Sequence, residues 1–210
     1  MSDKESQYAR QAADWTERAY ADVTAYLAHR AELISSLGTA LEPGDEVLDL
    51  ACGDGGLGAA LIARGLRYRG VDATREMTEA ARARLGERAP VELGDLNDYV
   101  PPSPVAATTV FRAIYYARDR RTFFEHAFGY TQKKLVFDLN PRQYRVDDVL
   151  GDLRHAGFGD VRLRPFFVPQ TVSLPGLVLA AAKALERSGP LARLALRVRF
   201  TYLVVASSDH

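Results

Sequence analysis

Glu46-Val47-Leu48-Asp49-Leu50-Ala51-Cys52-Gly53-Asp54-Gly55-Gly56-Leu57-Gly58 is the stretch whose reading decides the fold. It begins as a short apolar strand over 46–50 and runs into a glycine-rich turn. A strand that bends sharply into a helix favours glycine for two reasons. Positive φ costs glycine little, and its missing side chain lets a ligand approach the backbone. The first N–H groups of the following helix are then open to an anionic group. Gly53-x-Gly55-x-x-Gly58 also satisfies the dinucleotide-binding fingerprint, and a purely structural turn would use the same residues. By itself the stretch predicts an α/β turn and leaves its ligand open.

Reading outward, strand-like and helix-like segments alternate. Upstream, residues 7–37 read as one or two helices, because Trp15, Ala19, Val23, Leu27, Leu33, Ile34 and Leu37 recur at roughly helical spacing before Gly38. Downstream, a helix over 59–64 ends at Gly65. A strand over 68–71 ends at Asp72, and Thr74 is a good N-cap for a helix reaching Leu85. Strands follow at 91–93, 105–111 and 134–137, with helices at 122–128 and 146–155. Two further strands are expected at 161–168 and 198–206, separated by a helix-like insertion. Such alternation predicts a mostly parallel sheet with helices on both faces. The expected organisation is one domain over 1–210, with a helical cap over 1–40 and a helical insertion or lid over 169–197.

Acidic residues stand where a ligand of such a sheet would be held, since ligands of open α/β sheets sit at the carboxyl ends of the strands. Asp72 ends the second strand, 19 residues after Gly53. A carboxylate there can accept two hydrogen bonds from a ribose diol. Asp95 follows the third strand and could accept from an adenine amino group. Met77, one turn into the next helix, could cover a base. Each also has a plain structural reading, as loop carboxylates and a core methionine.

On these residues the chain resembles the class I S-adenosylmethionine-dependent methyltransferases. Val47 to Gly56 looks like the first motif of that family, Gly70-Val71-Asp72-Ala73-Thr74 with Met77 like the second, and Gly94-Asp95-Leu96 like the third. The resemblance covers roughly residues 46–166. It implies a Rossmann-like seven-stranded sheet of order 3-2-1-4-5-7-6 whose last strand is antiparallel. It further implies S-adenosylmethionine as cofactor, with Gly53 and Gly55 near its methionine part, Asp72 on the ribose and Asp95 on the adenine. Asp49, Ala51, Ala73, Met77, Leu96 and Arg112 would complete the cofactor site. Ala51 departs from the family, which often has glycine there. A nicotinamide-dependent oxidoreductase and a non-catalytic cofactor-binding domain remain as alternatives.

Methyl transfer requires in-line alignment of donor and nucleophile and exclusion of water. The acceptor is expected beyond the fourth strand, at Phe111-Arg112-Ala113-Ile114-Tyr115-Tyr116, where Tyr115 or Tyr116 could orient a hydroxyl or amine and Arg112 could pair with a carboxylate or with Asp49. Aromatic residues after a strand equally serve packing. Asp138, Asn140 and Arg142 form a polar cluster after the fifth strand, with Arg142 a candidate substrate contact, or else a solvated loop turned by Pro141. No histidine falls on a strand end, Cys52 reads as a small turn residue, and no metal-ligand spacing occurs.

Composition narrows the partners. The formal net charge is zero, whereas nucleic-acid binders usually carry a basic excess. The expectation is therefore a small-molecule substrate and no nucleic acid. A single cysteine among 210 residues fits a reducing cytoplasm. Arginine (23) far exceeds lysine (4), which carries no functional reading. Residues 171–200 hold five basic residues against one acidic residue, Glu186, beside a nearly unbroken apolar run over 177–185. That segment reads as a lid over the substrate, a homodimer contact, or a basic amphipathic helix on a membrane surface.

Overall fold

The structure is a computed structural model and describes residues 21–168, 172–189, 192, 194 and 202–208. Its seven strands are β1 (Glu46–Leu50), β2 (Arg67–Asp72), β3 (Val91–Leu93), β4 (Val105–Val110), β5 (Thr131–Leu139), β6 (Phe158–Pro165) and β7 (Tyr202–Ser208). They form one sheet in the order β3-β2-β1-β4-β5-β7-β6. β1 to β5 pair in parallel, and β7 runs antiparallel to both β5 and β6. The expected order and the antiparallel last strand are both found. The helices described are α1 (Val23–Ser36), α2 (Gly56–Ile62), α3 (Arg75–Leu85), α4 (Arg120–Phe128), α5 (Val146–Ala156) and α6 (Gly176–Arg187).

The period of two along the strands sorts the core into two layers. Val47, Val136, Leu203 and Val205 face one cluster with α1, α2 and α3. Their strand neighbours Leu48, Leu50, Leu135, Phe137, Tyr202 and Val204 face the other, with Phe123 and Phe124 of α4 and Val149 and Leu153 of α5. β4 and β7 are buried at every position, whereas edge strands β3 and β6 are partly exposed. Chain direction reverses across the sheet between β1 and β4, because β1 leads leftward to β2 and β3 and β4 leads rightward to β5. That switch point opens a crevice at the carboxyl ends of the strands.

Several boundaries differ from the sequence reading. β5 extends to nine residues because its ladder to β7 runs from Lys134 to Leu139 and Thr131 pairs with Val105 of β4. β6 lies earlier than 161–168, since its pairing with β7 starts at Phe158 and ends at Pro165. Thr74 is the N-cap of α3, but its side chain does not cap the helix; the hydroxyl donates to Asp72 instead. The expected helical residues before 21 and the strand residues 198–201 lie outside the described residues.

Candidate active site

A cleft of about 540 Å³ occupies the switch point. β1 delivers Asp49, Ala51, Cys52 and Gly53 to it; β2 delivers Asp72 and Ala73; the turn after β3 delivers Asp95, Leu96 and Asn97. Phe111, Arg112, Ala113, Tyr115, Tyr116 and Arg118 come from the segment after β4, and Leu27 and Arg30 from α1. The adjacent order β3-β2-β1 thus lines up three carboxylates, Asp95, Asp72 and Asp49, along one wall. Of the residues singled out in the sequence, Asp49, Ala51, Gly53, Asp72, Ala73, Met77, Asp95, Leu96, Arg112, Tyr115 and Tyr116 line this cleft.

Gly55 and Arg142 do not line the cleft. Gly55 has φ +77°, and an added Cβ would lie 3.0 Å from Leu85 and 3.2 Å from Ala81. Its bareness serves the packing of the loop on α3. Gly58 is bare for a similar reason, as a Cβ there would lie 2.6 Å from the Tyr68 ring. Arg142 is exposed in a loop where Asn140 Oδ1 accepts its backbone N–H. Asp138, from the same polar cluster, accepts the N–H of Arg112 at 2.7 Å. That bond holds Arg112 at φ +55°, and Ala51 lies at φ +61°. Both residues occupy the left-handed region that disfavours a side chain, and both stand at the switch point, where strained backbone marks functional sites.

Asp49 is buried in the floor of the cleft. Thr109 Oγ1 donates to its Oδ1 at 2.7 Å, and the Tyr68 hydroxyl donates to its Oδ2 at 2.8 Å. Register explains both contacts: Asp49 lies between Gly70 of β2 and Thr109 of β4, and Tyr68 stands two residues before Gly70 on the same face. Burial pushes the Asp49 carboxyl up from 3.8 to about 6, against the two hydroxyls and the field of Arg30, which favour the charged form. Arg30, rather than the expected Arg112, supplies that field. The Arg30 guanidinium is itself buried, 4.1 Å from the Phe111 ring centroid and 4.8 Å from that of Tyr26.

Asp72 ties the turn together. Its Oδ2 accepts the Gly53 N–H at 2.9 Å, and its Oδ1 accepts the Thr74 N–H and hydroxyl at 3.0 and 2.6 Å. Asp95 accepts from the Asn97 backbone and side chain at 2.9 and 2.6 Å and from Arg118 at 2.9 Å. The Asn97 N–H, followed by its side chain and Arg118, holds the Asp95 carboxyl below its ordinary value. Asn97 also reaches across to Tyr116 O and accepts the Arg118 N–H, so the loops after β3 and β4 are stitched together. Tyr115 and Tyr116 project from this stitched segment, about half exposed, with ring centroids 4.5 Å apart.

Sequence reasoning missed Leu27, Arg30, Asn97 and Arg118. A signal existed for Arg30: it falls on the apolar stripe of α1 with Val23, Leu27 and Ile34, where a cation is out of place. Asn97 and Arg118 left no comparable trace, because they meet only through the fold. Among the described residues, no cluster able to hold a metal ion occurs.

The sequence family described as "Methyltransferase domain" matches residues 47–134. No curated protein matches significantly in sequence. Among solved structures, an S-adenosylmethionine-dependent methyltransferase from Clostridium acetobutylicum superposes with TM-score 0.66 at 12% identity, covering 99% of this chain and 100% of that one. A TehB-like S-adenosylmethionine-dependent methyltransferase from Corynebacterium glutamicum gives TM-score 0.65 at 17% identity, covering 98% of both chains. Magnesium protoporphyrin IX methyltransferase from Synechocystis, solved with bound S-adenosylmethionine, gives 0.57 at 15% identity, covering 98% of this chain and 83% of that one. These likenesses are likenesses of fold, and the matched domain spans the strand ends that carry Asp49, Asp72 and Asp95. Residues 47–134 thus match a methyltransferase-domain family, and the fold of the whole is one shared with S-adenosylmethionine-dependent methyltransferases.

Proposed function

We propose that the protein transfers a methyl group from S-adenosylmethionine to an oxygen or nitrogen of a small, partly apolar molecule. The observation that carries this reading is the row of three carboxylates at the ends of β3, β2 and β1 inside one cleft. The donor set fits the cofactor: Asp95 and Asn97 offer polar groups for an adenine edge, Asp72 an acceptor for ribose hydroxyls, and Asp49 a counter-charge for a cation. Met77 and Leu96 supply apolar cover. When bound, the cofactor supplies an electrophilic methyl group on a sulfonium.

The remaining work falls to the chain itself. Asp72 keeps acceptor capacity on Oδ2 beyond its Gly53 bond, so a ribose hydroxyl can join without dismantling the turn. Arg118 occupies Asp95 Oδ2 and shares or yields that oxygen when an adenine amino group arrives. Ionised Asp49 opposes a positive ligand in a site of low dielectric, where the interaction is strengthened. Tyr115 and Tyr116 present hydroxyls at the rim, where they orient the acceptor and exclude water. Phe111 and Leu27 make that end apolar, as small-molecule pockets usually are. Arg142, exposed beyond the cleft, is a further contact only for an acceptor long enough to reach it.

The neutral net charge speaks for a small molecule over a nucleic acid. The lone cysteine suits a cytoplasmic setting, and no helix among the described residues is long and apolar enough to cross a membrane. In this reading the chain acts as one domain, with α1 as a cap beside the acceptor end. Calorimetry on the purified protein tests it. S-adenosylhomocysteine should bind at micromolar or better affinity and NAD should not. Binding of NAD without S-adenosylhomocysteine would overturn the proposal.

A further inference from the structure

Two residues of α1, Leu27 and Arg30, line the cleft one helical turn apart. The C-terminal end of this helix is fastened by Lys134 of β5, which donates to Leu37 O at 2.8 Å, and by Arg64 after α2, which donates to Ser35 Oγ at 3.1 Å. The stretch that carries Leu27 and Arg30 is fastened from elsewhere. His29, beside Arg30, lies with Nε2 2.6 Å from Glu186 Oε2 of α6, and both side chains are shut off from solvent. Glu32 pairs with Arg187, the next residue of α6.

Glu186 is the one buried residue of α6. Its other oxygen, Oε1, accepts the Phe167 N–H at 2.5 Å, and its backbone carbonyl accepts from Arg164 Nη1 at 3.2 Å. One carboxylate therefore joins α1, α6 and the stretch after β6. The Phe166 ring of that stretch packs on the same part of α1, 5.1 Å from the Tyr26 ring, 5.3 Å from the His29 ring and 5.5 Å from the Arg30 guanidinium. Pinning His29 sets the rotation of the helix, because each residue adds about 100° around the axis. Arg30 is thereby aimed at the cleft, with Nη2 donating to the Tyr26 hydroxyl at 2.6 Å and the guanidinium 4.1 Å from the Phe111 ring centroid. No described residue of 172–189 lines the cleft, so the lid expected from the sequence forms no wall of it. The segment bears on the cleft through α1.

Charge gives that placement a use. Arg30 and Asp49 face the same cleft, a cation and an anion within each other's field. The methionine end of S-adenosylmethionine carries an ammonium and a carboxylate, and a cation beside an anion in a site of low dielectric complements both. The ribose and adenine ends offer only hydroxyls and an amino group, for which Asp72 and Asp95 stand on the far wall. We propose that Glu186 is a positioning residue of the cofactor site: through His29 it holds Arg30 beside Asp49, so that the two together take the zwitterionic end of the cofactor. The inference rests on S-adenosylmethionine as the cofactor.

Calorimetry on the full chain tests this with two probes. S-adenosylhomocysteine has the amino-acid end, and 5′-methylthioadenosine lacks it. Arg30→Gln should weaken S-adenosylhomocysteine about tenfold or more and leave methylthioadenosine within about twofold. Glu186→Ala should weaken S-adenosylhomocysteine about fivefold or more, again without moving methylthioadenosine. Glu186→Gln should restore the affinity, because the amide oxygen accepts the Phe167 N–H while the amide nitrogen donates to His29 Nε2. In an Arg30→Gln background Glu186→Ala should cost little more, since its effect passes through Arg30. His29→Asn, whose amide falls short of Glu186, should repeat the selective loss, and it carries the test if Glu186→Ala does not fold. Equal losses for both probes would overturn the inference, because they report a general loosening of the fold. So would S-adenosylhomocysteine affinity that His29→Asn leaves unchanged. Failure of the unmodified chain to bind either probe would bring down the methyltransfer proposal itself, and this inference with it.

Discussion

Asp49→Asn should make the protein more stable and a poorer binder of its cofactor, both at neutral pH. Burial raises the Asp49 carboxyl from 3.8 to about 6. The folded state therefore holds the Asp49 proton more tightly than the unfolded chain does. Between these two values the native protein carries the extra proton, so stability falls as pH rises through the window. Above about pH 6 the full cost of the buried charge is present, about 3 kcal/mol at 1.36 kcal/mol per pH unit. Asparagine imitates the neutral acid and avoids that cost. It gives up some hydrogen bonding, since its single carbonyl oxygen cannot accept from both Thr109 and Tyr68, a loss of about 1 kcal/mol. The net expectation is a gain of about 2 kcal/mol at pH about 7.5, shrinking to about zero at pH about 4.5. Urea denaturation of both proteins at the two pH values measures it. In calorimetry at pH about 7.5 the variant should bind S-adenosylhomocysteine tenfold to a hundredfold more weakly, roughly the worth of one charge-assisted contact. In the unmodified protein, affinity should rise with pH through about 6, and the variant should lose that dependence. The reasoning fails if the variant is equally destabilised at both pH values, or if it binds the cofactor as tightly as the original.

Other substitutions probe the same frame. Asp72→Asn places an amide where Asp72 accepts from Gly53 or from Thr74; donor would face donor, and S-adenosylhomocysteine affinity should fall at least about tenfold in calorimetry, while an unchanged affinity would place the ribose elsewhere. Gly58→Ala pushes a methyl group into the Tyr68 ring and should cost about 1–3 kcal/mol in urea melts. The cost of Gly58→Ala should shrink when it is measured in a Tyr68→Val background, and a neutral Gly58→Ala would show that the contact is slack. Lys134 is buried and donates to the Leu37 carbonyl at 2.8 Å at the end of α1, and burial lowers its ammonium from 10.5 to about 7. Between those values the unfolded chain holds the extra proton, so the stability of the unmodified protein relative to Lys134→Met should rise with pH across this window. A difference independent of pH would refute that account.

The legible part of this protein lies in short-range pattern. Alternation of two along the strands, apolar spacing of 3.6 along the helices and glycines at a strand end are written within a few residues of each other. They suffice to read the sheet class, the turn at 51–58 and the carboxylates at strand ends, and family resemblance supplies the strand order. The same patterns are silent on partners distant in the chain. Asp49 meets Tyr68 and Thr109 only because β1 is threaded between β2 and β4 in one register. Asp95 meets Arg118 because the loops after β3 and β4 converge. Gly55 and Gly58 look like equivalent members of one fingerprint, yet their bareness answers different neighbours, α3 and Tyr68. Arg30 is one cation on an apolar stripe until Phe111 from β4 closes over it. Residues 177–185 are apolar nearly all round, so periodicity could not choose a buried face for α6. The choice came from Glu186, which finds His29 at a distance of 157 residues along the chain. A local sequence settles what each segment prefers by itself, whereas burial, charge pairing and exposure depend on which segments the tertiary fold brings into contact.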